Sequence, residues 1–250
     1  MTPNLVRMIE PSRDGVALIF PVGHEMGLTY VARPAPNAYL EREYETPVSG
    51  IGDGMALPDP RPLRAVVEPK GHRVRIADRS VRLSDEEVAI WRLTHGAADG
   101  TESRPLTRTM LDEQARADGH REPDRLIDRL LERGALVEAS PGTADAVAFA
   151  RRHRLRPLMV GFGNTAEEPS SFGVGYADQP VVRLPRDLYL VWQWSDLSDL
   201  WATCERLAGA AAEPDSSPSS APEGVVTRVL GALHFLLAHH VVYLDRVSGS

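Results

Sequence analysis

The sequence predicts an α+β protein, mostly helical with short antiparallel strands, in which two related modules follow N-terminal strands and a proline-rich arm. Three observations carry this expectation: a pair of short strand-like runs, three amphipathic helical stretches behind them, and the return of the same order later in the chain.

Composition sets the frame. The chain has 250 residues, 42% of them apolar, enough for real cores without covalent staples. A lone cysteine, Cys204, excludes an internal disulfide and lacks zinc-site spacing, so a reducing cytoplasm is the expected compartment. No apolar run reaches the roughly 18–20 residues of a membrane span, and Met1 to Pro11 lack the pattern of a secretory signal. The formal charge of −7 is spread evenly, with no net-basic segment of the kind that nucleic-acid binding favours. Lys70 is the sole lysine, as codon bias in a GC-rich bacterial gene would produce.

Residues 1–69 are expected to form N-terminal strands and an arm. Val16 to Phe20 and Met26 to Val31 are apolar enough for strands, with Pro21-Val22-Gly23 as a turn, and the prolines that follow suit an arm wrapping over another domain.

Module one is placed at 70–140. Strands over His72–Ala77 and Ser80–Leu83 flank Asp78-Arg79, and Ser84-Asp85-Glu86-Glu87 forms a capping box opening a helix that carries Val88 and Trp91 and stops at Gly96. A second helix, Thr107 to Asp118, presents Met110, Leu111 and Ala115 on one face. The third starts at Pro123, carries the stripe Leu126, Ile127, Leu130, Leu131, and ends at Gly134 before the strand Ala135–Glu138. Strand, strand, three helices, strand is the layout of a winged-helix module.

After a connector at 141–172, module two is placed at 173–250. Val81 to Trp91 aligns without a gap against Val182 to Trp192, and amphipathic stretches over Leu197–Leu207 and Val226–Leu237 precede a closing strand at Val241–Leu244. Val229 to Leu237 is apolar nearly all round, so this helix must be buried against another body. Ala212 to Glu223 reads as a flexible surface loop.

Module one resembles the PqqD-like winged helices that carry peptides in quinone-cofactor and ribosomal-peptide biosynthesis, through the hairpin Arg73–Leu83, the segment Leu83–Trp91 and the run Leu126–Val137. The resemblance covers about a quarter of the chain and reaches module two only through the repeat. It implies capture of an extended peptide as a strand beside the hairpin, in a peptide-modification or secretion-type pathway, although such carriers are usually single modules and this chain has two winged-helix-like modules in tandem and an arm. The resemblance carries over no particular contact residue; the hairpin itself offers Arg73, Val74, Arg75, Ile76, Val81 and Arg82 as the expected contacts.

The alternative is a DNA-binding regulator using Arg121, Arg125, Arg129 and Arg133, which recur every fourth residue on the third helix, although Asp124, Asp128 and Glu132 interleave with them. The basic run Arg151–Arg154 with Arg156 is the strongest positive patch, and capping the connecting helix is its plainer role. Gly161-Phe162-Gly163-Asn164, Gly173 and Gly175 lack the spacing of a phosphate loop and are expected in turns. His24-Glu25 and His239-His240 lack further ligands, and no catalytic elbow occurs. Trp192, Trp194 and Trp201 are expected to be mostly core. The expectation is a non-enzymatic protein- or peptide-binding adaptor without cofactor, metal or membrane, with a homodimer left open.

Overall fold

The computed structural model describes residues 15–34, 65–96, 104–210 and 221–248. They form a mixed α+β fold with short antiparallel sheets. Among them no helix is long and apolar enough to cross a membrane. The residues of the proline-rich arm beyond Pro34 up to 64, and 211–220 of the expected surface loop, lie outside the described residues.

Strands β1 (Leu18–Pro21), β2 (His24–Pro34), β3 (Ala65–Ile76) and β4 (Arg79–Leu83) precede helices α1 (Asp85–Leu93), α2 (Arg108–Ala117) and α3 (Pro123–Glu132), and β5 (Leu136–Ala139) follows. The order β2-β3-β4 makes one sheet, while β1 pairs with β5, Leu18 opposite Ala139. The continuous apolar run of β1 has a direct cause. Its backbone is held by β5 on one side, Ile19 N–H donates to the Leu106 carbonyl at 2.9 Å, and Leu18, Ile19 and Phe20 are all buried.

After α4 (Ala144–Arg152) the same order recurs: β6 (His153–Pro157), β7 (Val160–Gly163), β8 (Ser171–Tyr176), β9 (Gln179–Pro185), α5 (Arg186–Gln193), α6 (Leu200–Ala210), α7 (Pro222–Ala238) and β10 (Val242–Arg246). Strands β7-β8-β9 form the second sheet and β6 pairs with β10. The segment expected as a connector therefore contains two strands of the second repeat, and the expected arm begins with two strands of the first. Their partners, β5 and β10 among them, lie far off in sequence, which short-range patterning cannot see.

The correspondence reaches single residues. Pro21 faces Leu136 and Pro157 faces Val242. The register of β2 on β3 shifts between Glu25 and Gly27, and that of β7 on β8 between Gly161 and Gly163. Gly27 at φ +85° and Gly163 at φ +71° adopt the left-handed conformation a bulge of this kind favours. The bulges push out Met26 and Phe162, both exposed. Each hairpin turns on Ala-Asp, with Ala77 and Ala177 at positive φ. Beyond the second turn β9 carries one extra residue, Val181, in a further bulge, which moves every later counterpart by one position.

Helix ends follow local chemistry. The capping box is formed, Ser84 Oγ accepting from the Glu87 amide and Glu87 Oε2 from the Ser84 amide at 2.8 Å. Thr107 caps α2, and Pro123 opens α3, which buries Leu126, Ile127 and Leu130. Helix α7 is the centre of the molecule. Leu230, Leu233, Leu236 and Leu237 are fully buried, and His234 reaches β1, its Nε2 donating to the Ile19 carbonyl at 2.9 Å while its Nδ1 faces the Leu106 amide at 3.5 Å.

The glycines expected in turns lie instead in or beside strands β7 and β8. Space explains Gly161: a β-carbon there would lie 2.7 Å from Trp192 and from the Tyr189 hydroxyl.

Candidate peptide-binding cleft

Strand β3 is the middle strand of its sheet and β4 an edge. In the two-residue hairpin, Ile76 faces Arg79 and Val74 faces Val81. Antiparallel alternation makes these the hydrogen-bonded pairs, so the amide and carbonyl of Ser80 and of Arg82 point away from β3. Among the described residues no strand pairs with that outer edge. One outward group is occupied: the Arg133 guanidinium donates to the Arg82 carbonyl.

The same guanidinium donates to Glu87 Oε2 at 2.9 Å, and Arg129 lies 3.6 Å from Glu87 Oε1. Burial alone would raise the Glu87 carboxyl, but the Ser84 amide and the two arginines outweigh it and hold the group below the usual carboxylate range. A buried, ionised Glu87 thus fixes the spacing between β4 and α3.

Alongside β4 runs a cleft of about 800 Å³. Val81, Leu131, Leu136 and Val137 give it an apolar floor. Arg79, Arg82, Arg133, Arg152 and Arg246 line it as well, against one lining carboxylate, Glu132. Arg152 and Arg246 come from the second repeat and the helix before it. Arg246 pairs with His153 across β6 and β10, Val247 N–H donates to the Arg152 carbonyl, and a β-carbon on Gly134 would lie 3.6 Å from Arg246 Nη1. His153, buried at this end, is pushed down to about 4, first by burial and then by Arg246 and Arg152. It is neutral at physiological pH.

The last strand also supports the hairpin from beneath. Asp245 Oδ1 accepts from the Ala77 amide at 2.7 Å, Tyr243 Oη accepts from Arg75 at 2.8 Å, and Gly23 N–H donates to the Leu244 carbonyl at 2.7 Å.

The second repeat offers an internal comparison. There Pro180, opposite Gly175, occupies the position of Ser80, and the bulge at Val181 follows it. Proline has no amide to offer an incoming strand, and a bulge twists an edge away. The first edge is open and the second blunted.

The chain matches no family model, no curated protein and no solved structure. Its chemistry is therefore read from its own side chains. Among the described residues no three His, Cys, Asp or Glu groups converge as metal ligands. The Cys204 thiol is pushed up to about 12, chiefly by burial, and is no nucleophile in the fold. What the cleft presents is strand-edge hydrogen bonding, an apolar floor and concentrated positive charge.

Of the residues expected to contact a peptide, Val81 and Arg82 line the cleft. Val74 and Ile76 do not reach it: alternation turns both side chains into the core, 0% and 1% exposed. Arg73 and Arg75 stand exposed on the middle strand, Arg75 tied to Tyr243. The arginines of α3 are mostly engaged by carboxylates. Arg125 pairs with Glu122, while Arg129 and Arg133 pair with Glu87, and Arg121 is exposed at the helix approach. Patterning missed Arg79, Ser80 and Arg246 as contacts, and marked Arg152 as part of the strongest positive patch, able to take a phosphate or an acidic partner, with helix capping as its plainer role. The contrast between Ser80 and Pro180 was the available signal for the open edge. Of the tryptophans, Trp194 and Trp201 are half-buried, covered by Arg206 and Arg151 at 4.7 and 5.0 Å.

Proposed function

We propose that this chain is a non-enzymatic adaptor of two winged-helix-like repeats, which captures an extended segment of another protein as an added strand along β4. The observation that carries the reading is the pairing of an open strand edge with a cleft between that edge and α3. Unpaired edges are ordinarily blunted, as the second repeat's is, and an edge left open beside a walled groove is what strand addition requires. The amide and carbonyl of Ser80 and the amide of Arg82 supply the sequence-independent part of the affinity, and the cleft reads alternate side chains. The resemblance to peptide-carrying PqqD-like modules points the same way, and no feature of the ion-paired α3 arginines favours the regulator.

The test copies the second repeat into the first. Ser80→Pro removes one outward amide and no core contact. Peptides enriched by display on the full chain should bind the wild type and lose at least tenfold in affinity to Ser80→Pro, with unchanged melting. Equal binding by both proteins would refute strand addition.

A further inference from the structure

We infer that the captured segment is acidic, with a carboxylate side chain seated at the cleft end where Arg152 and Arg246 of the second half meet Gly134 of the first. This rests on the strand-addition reading and specifies its partner.

The charge distribution is the argument. A protein of net charge −7 places five arginines around one cleft, with Glu132 the lone acidic residue in the lining. Arg133 is neutralised by Glu87, and Arg152 has Asp145 at 4.0 Å. Among the described residues Arg79, Arg82 and Arg246 have no carboxylate partner. The nearest candidate for Arg246, Asp245, directs its oxygens to the Ala77 and Arg246 amides and to Arg154. Like charges gathered around one cleft repel one another and are relieved by an anion. Arginine forks favour carboxylates, which they bind bidentately.

The geometry favours a peptide carboxylate over a nucleic acid. The cationic end adjoins an apolar floor and a strand edge, which an extended chain satisfies with alternate side chains. A phosphate backbone would leave both unused.

The probe is a randomised segment of roughly eight residues, long enough to overrun β4 at about 3.3 Å per residue, displayed against the full-length protein. Enriched sequences should be rich in Asp and Glu. A synthetic winner should bind on the order of tenfold or more tightly than its Asn/Gln counterpart, since hydrogen bonds to charged groups are the stronger kind. The Arg152→Gln/Arg246→Gln variant should lose a similar factor, and Arg152→Lys/Arg246→Lys should recover only part of it, restoring the charge without the bidentate fork. Melting curves keep folding and binding apart.

Winners without acidic residues, or acidic winners indifferent to the Gln variant, would overturn the acidic partner, and their sensitivity to Ser80→Pro would still uphold strand addition. Acidic winners that sense the arginines but not Ser80→Pro would overturn strand addition instead. No enrichment would overturn both. Displacement by oligonucleotides with a steep salt dependence would assign the arginines to nucleic acid and overturn the inference.

Discussion

Acidifying the protein from about pH 8 to about pH 5 should remove roughly 6 kcal/mol of folding stability, through three buried histidines. His95, His153 and His234 are each pushed down to about 4, with burial the largest cause in every case and His240 the next for His95. All three are neutral in the fold, whereas the unfolded chain takes up their protons below about pH 6.5. Because the native pKa is the depressed one, the stability is fully present above about pH 6.5. It drains away as pH falls towards about 4, where the native side chains begin to protonate as well. At pH 5 an unfolded histidine gains about 2 kcal/mol from protonation and a native one almost nothing, so three sum to about 6 kcal/mol. That is comparable with the whole stability of a typical domain, about 5–15 kcal/mol. Glu25 and Glu87, both held low, lose their stabilising ionisation only below about pH 4.5 and leave this window untouched. Urea melts at half-unit steps of pH would show the decline beginning near pH 6.5, and His153→Gln should flatten the slope by about a third. Constant stability down to pH 5 would refute the assignment of neutral, buried rings.

Three further outcomes are expected. Leu237→Asp places an unpaired carboxylate where exposure is 0% and should cost several kcal/mol, read as loss of the folded state; normal melting would contradict the central position of α7. Asp245→Asn keeps the shape but weakens the acceptor for the Ala77 and Arg246 amides and the pairing with Arg154, and should cost about 1–3 kcal/mol. Faster amide exchange at Ala77 checks that loss. Cys204 should resist thiol reagents in the native protein and react stoichiometrically once urea unfolds it; rapid native labelling would place the thiol elsewhere.

Much of this architecture was legible because local chemistry controls it. Ser84 and Glu87 stand three residues apart and cap α1, Pro123 opens α3, and the nearly all-round apolarity of Val229 to Leu237, broken by His234, announces a helix enclosed on all sides. What escaped depends on distant partners. Glu87 reads as a capping residue, yet it also gathers Arg129 and Arg133, and nothing nearby in sequence announces that second duty. Val74 and Ile76 follow strand periodicity correctly, but which side faces inward is set by the packing around the sheet. The cleft could not be read from any segment, since its lining joins β4, α3, β5 and the ends of α4 and β10.

The support of the hairpin by β10 has a consequence for how the protein is made. Ala77 and Arg75 are tied to Asp245 and Tyr243, separated from each by 168 positions along the chain. A ribosome delivers the hairpin well before its props. While the nascent chain lacks β10, the edge has neither its underpinning nor Arg246, so the site on the first repeat matures only once β10 has been made. A chain cut short before Val242 would thus be impaired at a hairpin far upstream of the cut.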